Sequence, residues 1–470
     1  MDENIVHCVE ANAHRLGDEP ALVWDDGGLT WRELERRACG FARHLATRSV
    51  GPGDRIAILI PNRWTFAVAL LGGLKVGATV APLIPDLKPD ELADVLADLR
   101  PKCLIEDVEV DEGPWATAAQ SAAPAVIVYT SGSTGRPKGA VFSHQAVLFG
   151  TRLWGEAVMR LEEDDVVLGA LPFSHNYGMY AGLLAPLLFG ATTVLIERFT
   201  PEAVFAAIKK NRVTIFPGVA TMFHRLLASP HFSDSDLSSL RIATSGAAPC
   251  APALCGEWRE NTGVSILCGY GATEVPRSIS FTADDLDEPP GTAGKVMPGV
   301  EIRAIDEEGR PLSDGEVGEL WIKSPAAMDG YLGRPDETRE VLSDGWYRSG
   351  DLGAVLPGGF IRIIGRKRER ILRGGFSVFP QEVEAVLLSH PAIAEAAVAG
   401  VLDTDLGEEI AAFVTLQASA RATADEIIAY CKERLARYKY PRKVMILNDL
   451  PKSPMGKVLK AELLKRYANS

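Results

Sequence analysis

Hydrophobic residues in the first 290 positions follow two alternating periods. Residues 88–105 place an apolar helical face ahead of a predicted strand at 102–105. That face consists of Leu92, Val95, Leu96 and Leu99, at the spacing i, i+3, i+4 and i+7. Residues 201–216 repeat the plan, with a helix that begins at Pro201 and a strand at 213–216. Helices that alternate with short β-branched runs indicate layered α/β structure with largely parallel sheets.

The pattern becomes β-rich after about residue 290. Short apolar runs in residues 291–324 are separated by Gly, Pro and Asp, which is typical of strands joined by turns. Residues 354–366 predict a hairpin whose turn is Pro357-Gly358-Gly359.

A compact α+β unit is predicted beyond Arg366. A helix should run between Pro380 and Pro391, two strands should follow, and a capping box of Thr423 and Glu426 should open another helix. The two strands cover residues 395–401 and 409–417.

The chain is too long for one ordinary core, since it has 470 residues. The predicted fold class is α/β, with two domains. Residues 1–365 form a large domain of layered α/β subdomains plus a β-rich subdomain, and residues 366–470 form a small α+β domain.

Composition and charge exclude several classes of protein. With 47% hydrophobic residues the chain is globular, and its net charge of −13 argues against nucleic acid as a partner. The seven cysteines form no C-x-x-C pair, so their spacing indicates neither a zinc site nor a disulfide framework. An acidic start with no apolar run after it argues against an export signal, and a cytoplasmic location is expected.

Residues 178–196 are uncharged and long enough to cross a bilayer. Gly182, Pro186 and Gly190 interrupt them, and their β-branched end is typical of a strand. We therefore predict a buried helix followed by a buried strand rather than a membrane span.

The loop "YTSGSTGRPKGAVFSH" (129–144) is the first candidate for chemistry. It is not a Walker loop, because Pro137 precedes Lys138 and Gly139 follows it. Its glycines, hydroxyls and lysine still suit phosphate, and Ser143 can cap a following helix. The groups expected at phosphate are Thr130, Ser131, Gly132, Ser133, Thr134, Gly135 and Lys138. A glycine-rich surface turn is the alternative.

A second segment, "GYGATE" (269–274), follows a buried run and should lie at the carboxyl end of a strand, where open α/β sheets bind ligands. Tyr270 can stack on a purine, Thr273 can bond phosphate and Glu274 can ligate Mg²⁺. Asp351 in "YRSGDLG" can accept two ribose hydroxyls, and Lys457 stands on a turn in "PKSPMGK". The alternatives are a turn acid and a solvated lysine.

Read in order, "YTSGSTGRPKG", "GYGATE", "YRSGDLG", "GRKRERILRGGFSVFPQEVE" and "PKSPMGK" resemble the adenylate-forming superfamily of acyl-CoA synthetases, peptide-synthetase adenylation domains and luciferases. The resemblance runs over essentially the whole chain. It implies that a carboxylate attacks the α-phosphate of Mg·ATP to give an acyl-adenylate and pyrophosphate, and that a thiol then displaces AMP.

The same resemblance implies residue roles. The glycine-rich loop would hold the β- and γ-phosphates, with Thr134 and Glu274 at the metal, and Lys457 would be the catalytic cation. Adenine would meet Tyr270, Gly271 and the Gly246-Ala247-Ala248 segment, and ribose would meet Asp351 and Arg366. The small domain would act as a mobile lid about Arg368, which stands where Asp or Lys is usual, and Gly374 and Gly375 would serve thiol transfer.

The resemblance also implies an acid pocket. Its members would be Phe173, His175, Asn176, Tyr177, Met179, Phe216, Val219 and Gly269. Asn176 replaces the aspartate of α-amino-acid enzymes, and "HNY" is similar to aryl-acid-activating enzymes. His175 resembles a histidine that gates the acyl and thiol channel, with a core histidine as the alternative. Arg277 could pair a second substrate carboxylate or be a surface residue.

The thiol acceptor stays open between coenzyme A and a carrier protein. Six cations occupy a dozen residues and would attract either anionic partner. They are Arg362, Arg366, Lys367, Arg368, Arg370 and Arg373. The favoured hypothesis is an ATP-dependent ligase that makes an aryl- or medium-chain acyl-CoA. The rivals are a stand-alone enzyme that loads an acyl or peptidyl carrier protein, a luciferase-like monooxygenase and a nucleotide sensor.

Overall fold

The structure is a computed structural model that describes residues 4–108, 115, 117–118, 122–130, 137–248, 250–285, 291–417, 420–452 and 458–468. The chain groups into two compact units. The first comprises Met1–Glu288, Ala293–Glu301 and Ile322–Tyr347, and the second comprises Pro289–Thr292, Ile302–Trp321 and Arg348–Ser470. The division predicted at residue 365 stays a prediction. The mixed α/β class is confirmed.

The helices of the described residues are α1 (Ile5–Leu16), α2 (Trp31–Thr47), α3 (Trp64–Lys75), α4 (Pro89–Leu99), α5 (His144–Arg152), α6 (Asn176–Met179), α7 (Ala185–Phe189), α8 (Pro201–Asn211), α9 (Ala220–Leu227), α10 (Pro252–Thr262), α11 (Pro335–Val341), α12 (Pro380–Leu388), α13 (Ala424–Arg434) and α14 (Lys460–Ala468). Two π-helical segments, Leu153–Met159 and Tyr180–Leu184, and two 3₁₀ turns, Pro357–Gly359 and Lys367–Glu369, complete the helical structure of the described ranges.

The strands of the described residues are β1 (Pro20–Trp24), β2 (Gly27–Thr30), β3 (Arg55–Ile58), β4 (Thr79–Pro82), β5 (Cys103–Ile105), β6 (Pro124–Thr130), β7 (Lys138–Ser143), β8 (Val166–Gly169), β9 (Thr192–Leu195), β10 (Ile215–Gly218), β11 (Ile242–Ser245), β12 (Ile266–Tyr270), β13 (Ile279–Ser280), β14 (Lys295–Val296), β15 (Glu301–Ile305), β16 (Gly318–Lys323), β17 (Gly330–Tyr331), β18 (Leu342–Ser343), β19 (Trp346–Val355), β20 (Ile361–Arg366), β21 (Ile371–Arg373), β22 (Phe376–Val378), β23 (Ile393–Asp403), β24 (Gly407–Leu416) and β25 (Lys443–Ile446).

Two sheets organise the first unit. One has the order β14-β13-β12-β11-β10-β8-β9-β1-β2, and strands β8 to β12 in it are parallel. The other has the order β17-β7-β6-β4-β3-β5. Because β10, β11 and β12 are parallel, their carboxyl ends meet at one edge, which is where such sheets bind ligands.

The predicted elements of the first unit are confirmed with small shifts. The helix predicted in residues 88–105 is α4, and its Val95 and Leu99 are buried. The strand predicted at 213–216 lies two residues later, at β10, because the backbone N–H of Val213 still donates to Ile208 O and closes α8. The apolar stretch 178–196 contains buried helical segments followed by β9. Among the described helices, none has both the length and the hydropathy that a bilayer crossing needs.

In the second unit, β19 and β20 form the predicted hairpin around Pro357–Gly359. The sheet that follows has the order β22-β21-β24-β23, with β25 beside β24. Helices α12 and α13 pack on one of its apolar clusters, which includes Val383 and Ile427, and α14 packs Leu463 on another. The small α+β unit is thus built on two cores.

Candidate active site

The glycine-rich loop is bounded by two antiparallel strands. Strand β6 ends at Thr130, which stands opposite Lys138 at the start of β7. The five residues between them that were predicted at phosphate, Ser131, Gly132, Ser133, Thr134 and Gly135, lie outside the described residues. Ser143 caps α5 as predicted, since its Oγ accepts from Ala146 N at 3.3 Å. Strand β7 itself was not predicted, because the sequence pattern suggested a direct passage from loop to helix.

Both ends of this loop are tied to a polar network that we call the loop brace, made of Asp98, Tyr129, Lys138, Arg334 and Glu337. Tyr129 OH donates to Asp98 Oδ2 at 2.9 Å, and Arg334 Nη2 donates to Asp98 Oδ1 at 3.0 Å. Arg334 Nη1 also reaches Glu337 Oε1 at 3.2 Å. Lys138 Nζ lies 2.5 Å from Glu337 Oε2, and its hydrogen bond lowers the pKa of Glu337. The loop brace therefore fixes Tyr129 before the loop and Lys138 after it.

Glu274 lies beside the loop brace. Its Oε1 accepts from Tyr331 OH at 2.7 Å, and its backbone carbonyl accepts from Met328 N at 2.8 Å. Lys138 Nζ is 5.3 Å from the centre of the Tyr331 ring. Burial and the nearby carboxylate raise the pKa of Tyr331, so its phenol stays a proton donor to Glu274 at neutral pH. The candidate metal ligand is thus held in a defined orientation.

The rest of the 269–274 segment follows the end of β12. Tyr270 is half-buried and pairs with Ile279 on β13, Gly271 is exposed, and Thr273 is half-buried. The side chain of Asn176 donates from Nδ2 to the carbonyl oxygens of Ala272 at 3.5 Å and Thr273 at 3.4 Å. The predicted acid pocket and the predicted nucleotide segment are therefore joined through one amide.

The Gly246-Ala247-Ala248 segment follows β11, the neighbour of β12. Ala247 has φ of 66°, a left-handed conformation that residues with a Cβ seldom adopt. At Gly246 an added Cβ would lie 3.2 Å from Tyr177 Cε1, so a side chain there would crowd the ring. The backbone of this segment is both strained and closely packed, which is typical of a ligand-binding turn.

His175 and Tyr177 stand at the start of α6. Nδ1 of His175 accepts from Tyr177 N at 3.3 Å, and burial lowers the pKa of His175 to about 4. His175 is therefore neutral at pH 7. Tyr177 OH and Thr244 Oγ1 are 2.8 Å apart, and the Tyr177 ring stacks on Trp154 with centroids 4.8 Å apart.

The remaining predicted pocket residues are buried among apolar neighbours. The ring of Phe173 is 5.5 Å from that of Phe66, and the ring of Phe216 is 5.0 Å from that of Phe223. Met179 and Val219 are equally buried. Phe173 and Phe216 thus form part of the packed core.

Arg277 is not a surface residue. Only 5% of it is exposed, and it donates to Ser245 O and Leu267 O at 3.1 Å and to Ser280 Oγ at 2.7 Å. Its guanidinium carbon lies 4.4 Å from the centre of the Trp154 ring. Burial lowers the pKa of Arg277 to about 10, so it is still a cation at neutral pH. Its described acceptors are carbonyl and hydroxyl oxygens rather than carboxylates.

Arg277 also explains Gly269. A Cβ at residue 269 would lie 2.4 Å from Arg277 Cζ, so a larger residue would displace the guanidinium. Gly269 therefore allows Arg277 to pack closely against the end of β12, which the sequence alone did not reveal.

In the second unit, Asp351 and Arg366 stand opposite each other on β19 and β20. Arg366 Nε is 3.3 Å from Asp351 Oδ1, and Asp351 is 5% exposed. The backbone N–H of Asp351 donates to Ser349 Oγ at 3.0 Å. The structure thus brings together the two residues predicted at ribose.

Gly374 and Gly375 form the two-residue turn between β21 and β22. Their φ values of 54° and 83° are both positive, as a type I′ hairpin requires. Both glycines are exposed, and the next residue, Phe376, is 56% exposed. The turn displays an aromatic side chain on the surface of this unit.

The predicted cluster of six cations is partly neutralised. Arg366, Lys367 and Arg373 have carboxylate partners within their own unit, which are Asp351, Glu319 and Glu409. Arg368, the predicted hinge, is exposed in the 3₁₀ turn Lys367–Glu369. Lys457 lies outside the described residues. The charge available to an anionic acceptor is therefore smaller than the sequence suggests.

Known protein families match two stretches of the chain. Residues 9–118 and 106–332 match the AMP-binding enzyme family, and residues 382–457 match the AMP-binding enzyme C-terminal domain. The chain is 35% identical over 467 residues to feruloyl-CoA synthase of Amycolatopsis sp, covering 93% of this chain and 94% of that protein.

Two solved structures are similar along their whole length. Benzoate CoA ligase from Burkholderia xenovorans LB400 superposes with a TM-score of 0.89 at 31% identity, covering 98% of this chain and 99% of that one. ATP-bound MatB from Rhodopseudomonas palustris superposes with a TM-score of 0.92 at 28% identity, covering 99% of both.

Proposed function

The chain belongs to the AMP-binding enzyme family, and we propose that the acid it activates is an aryl acid. It is an acid–thiol ligase of the AMP-forming acyl-CoA synthetase type. ATP converts a carboxylic acid to an acyl-adenylate with release of pyrophosphate, and the thiol of coenzyme A then takes the acyl group. The feruloyl and benzoate relatives are named for coenzyme A ligase activity, which supports this reaction over the luciferase-like and sensor alternatives.

One observation supports the roles of the phosphate and metal residues above all others: Glu274 is held by Tyr331 beside the brace of the glycine-rich loop. A carboxylate fixed next to a phosphate-holding loop suits a hard cation. Mg²⁺, when bound, supplies positive charge to the phosphates, and Glu274 with Thr134 would hold it. Lys138 steadies the leaving phosphates from the rim of the loop, and Thr273 donates to phosphate oxygen.

The nucleoside is assigned to residues at strand ends. Tyr270 and Gly271 with the Gly246-Ala247-Ala248 segment are proposed to bind adenine, because they follow adjacent parallel strands. Asp351 is proposed to accept the ribose hydroxyls, with Arg366 orienting its carboxylate. Lys457 is proposed as the cation that lowers repulsion between the acid and the α-phosphate, carried by a C-terminal lid that turns about Arg368.

The aryl preference is argued from His175, Asn176 and Tyr177. Asn176 carries an uncharged amide and stands between the neutral imidazole of His175 and the stacked ring of Tyr177. This part of the proposed acid pocket therefore offers aromatic rings and an uncharged hydrogen-bonding group. A planar aromatic ring on the substrate suits these three side chains better than an ammonium group or a second carboxylate does. The named activities of the feruloyl and benzoate relatives support the same class.

A pyrophosphate-exchange screen tests the acid class. Hydroxylated and unsubstituted aryl acids should give the highest kcat/KM for exchange into ATP, ahead of fatty, dicarboxylic and β-amino acids. A fatty acid with at least tenfold higher kcat/KM than every aryl acid would contradict the proposal.

The acceptor is tested separately with the best acid. AMP release should accelerate with free coenzyme A and not with a holo-carrier protein at equal thiol concentration. Acceleration by the carrier alone would make the carrier-loading alternative correct. The named activities of the feruloyl-CoA synthase and benzoate CoA ligase relatives support coenzyme A as the acceptor.

A further inference from the structure

Three cysteines that form no recognisable sequence motif meet beside strand β12 of the first unit. The sulfur atoms of Cys250 and Cys255 are 3.5 Å apart, and those of Cys255 and Cys268 are 3.7 Å apart. All three sulfur atoms lie within 4.8 Å of one another. The spacing in sequence gave no sign of this cluster, because one cysteine precedes α10, one lies within it and one lies on β12.

These distances match those of a tetrahedral thiolate site. With a Zn–S bond of about 2.3 Å, two ligands at a tetrahedral angle stand about 3.8 Å apart. They are far from a disulfide, whose sulfur atoms are about 2.05 Å apart. All three side chains are half-buried, so a metal ion has access from solvent. The cluster therefore has the size and the access that a metal site needs.

A buried cation lies next to the cluster. Arg277 is 5% exposed, interacts electrostatically with Cys268, and has its Nε buried without a hydrogen-bond partner among the described residues. A divalent ion with three thiolates carries a net charge of −1, so an adjacent guanidinium would balance it. Without such an anion, the partners of the Arg277 guanidinium among the described residues are carbonyl, hydroxyl and aromatic groups.

We propose that Cys250, Cys255 and Cys268 form a binding site for one soft divalent metal ion such as Zn²⁺, distinct from the Glu274 site. On binding, the three thiols release three protons to solvent, three metal–sulfur bonds form, no electron is transferred, and water completes the tetrahedron. Cys250 follows the Gly246-Ala247-Ala248 segment and Cys268 precedes Gly269, so the ion ties the ends of two neighbouring strands together. The proposal does not depend on the acid or the acceptor.

Metal binding to the whole protein tests the site. Zn²⁺ is titrated into metal-free, reduced protein against a chromophoric chelator, and Cd²⁺ is titrated with detection of sulfur-to-metal charge-transfer absorbance. Wild type should bind one ion per chain with thiolate absorbance. Cys255→Ser should weaken binding by about 100-fold or more, since one of three protein ligands is lost. Cys103→Ser is the matched control, because Cys103 is half-buried but outside the cluster, and it should bind as wild type does.

Alkylation mapping of the wild-type protein is a second test that does not require Cys255→Ser to fold. In wild-type protein, Zn²⁺ should slow iodoacetamide labelling of Cys250, Cys255 and Cys268 and leave Cys8 and Cys103 unchanged. The proposal is overturned if Cys255→Ser binds Zn²⁺ as tightly as wild type or if bound Cd²⁺ shows no thiolate absorbance. It is also overturned if protection falls on other cysteines.

Discussion

Glu274 and Lys138 in the first unit are held differently from the Gly374-Gly375 turn in the second unit. In the first unit, Glu274 and Lys138 are tied by side-chain bonds to partners far away in sequence, and their segments are half-buried. In the second unit, Gly374 and Gly375 form an exposed two-residue turn without side chains, and a backbone hydrogen bond from Gly374 N to Leu406 O at 2.8 Å ties it to the neighbouring segment.

This contrast fits a reaction with two halves. A nucleotide's phosphates need groups that are already fixed, because reorganising charged side chains during the reaction is costly. A thiol on a long arm needs a surface that meets it, and the exposed turn beside Phe376 is proposed to provide one. Variants in one unit should therefore affect one half-reaction more than the other.

The largest expected effect comes from Lys457→Ala. Lys457 belongs to the C-terminal segment of the chain but is proposed to serve adenylation, so it is an exception to the assignment of one half-reaction to each unit. Pyrophosphate exchange should fall by about 100- to 1000-fold, as for the loss of one group that stabilises developing charge. Thioester formation from a preformed acyl-adenylate should survive. Lys465→Ala, an exposed lysine on α14, is the control and should leave both rates unchanged. Exchange at the parent rate would refute the role.

Gly375→Ala tests whether the glycine turn of the second unit serves thiol transfer and not adenylation. The added Cβ meets no atom within 4 Å, so its effect is the strain of φ at 83°, about 1–2 kcal/mol. We expect about a tenfold loss in the coenzyme A-dependent rate and unchanged pyrophosphate exchange. Gly359→Ala is matched, since its φ is 79° in the other hairpin turn and its Cβ is equally free. Equal losses in both variants would show general destabilisation rather than a role in thiol transfer.

Tyr331→Phe tests the first unit with a smaller change. Removing one hydrogen bond to Glu274 is worth about 1 kcal/mol, which corresponds to about a fivefold lower kcat/KM for Mg·ATP in exchange. Tyr430→Phe removes a comparable bond, from Tyr430 OH to Ser389 O at 2.9 Å in the second unit, and should leave exchange unaltered. No change with Tyr331→Phe would mean that Glu274 is not oriented by this phenol.

The smallest effect at neutral pH is expected at two histidines. Burial lowers the pKa of both His144 and His175 to about 4, against about 6.5 in an unfolded chain. Their neutral forms stabilise the fold fully above about pH 6.5, and this contribution is lost as the pH falls through 4. His144→Gln and His175→Gln should each flatten the acid limb of a urea-unfolding profile. Only His175→Gln should lower the coenzyme A-dependent rate at pH 7, and equal rates would leave His175 as a core residue.

Local signals in the sequence predicted local structure well. Ser143 caps α5, and Thr423 and Glu426 form the capping box of α13, with Glu426 N donating to Thr423 Oγ1 at 3.3 Å. Such caps depend on residues three positions apart, so the chain itself displays them. The family resemblance added the candidate site, since its motifs follow one another along the chain.

Long-range partners were not predictable in this way. Asp98 and Arg334 are 236 positions apart, and no periodicity or spacing links them. The charge of Arg277 made a surface position one of its two interpretations. Burial is possible because carbonyl oxygens and the Trp154 ring surround its guanidinium. The three clustered cysteines were missed for a similar reason, since the packing of α10 beside β12 rather than a recognisable motif brings Cys255 to Cys268.

Ala247 offers a way to adjust the site without removing any polar group. Its left-handed backbone conformation costs a residue with a Cβ about 1–2 kcal/mol, and glycine would not incur that cost. Glycine would also give the turn more freedom in the unfolded chain. In protein engineering, a glycine in place of Ala247 would therefore change the rigidity of the turn that follows β11.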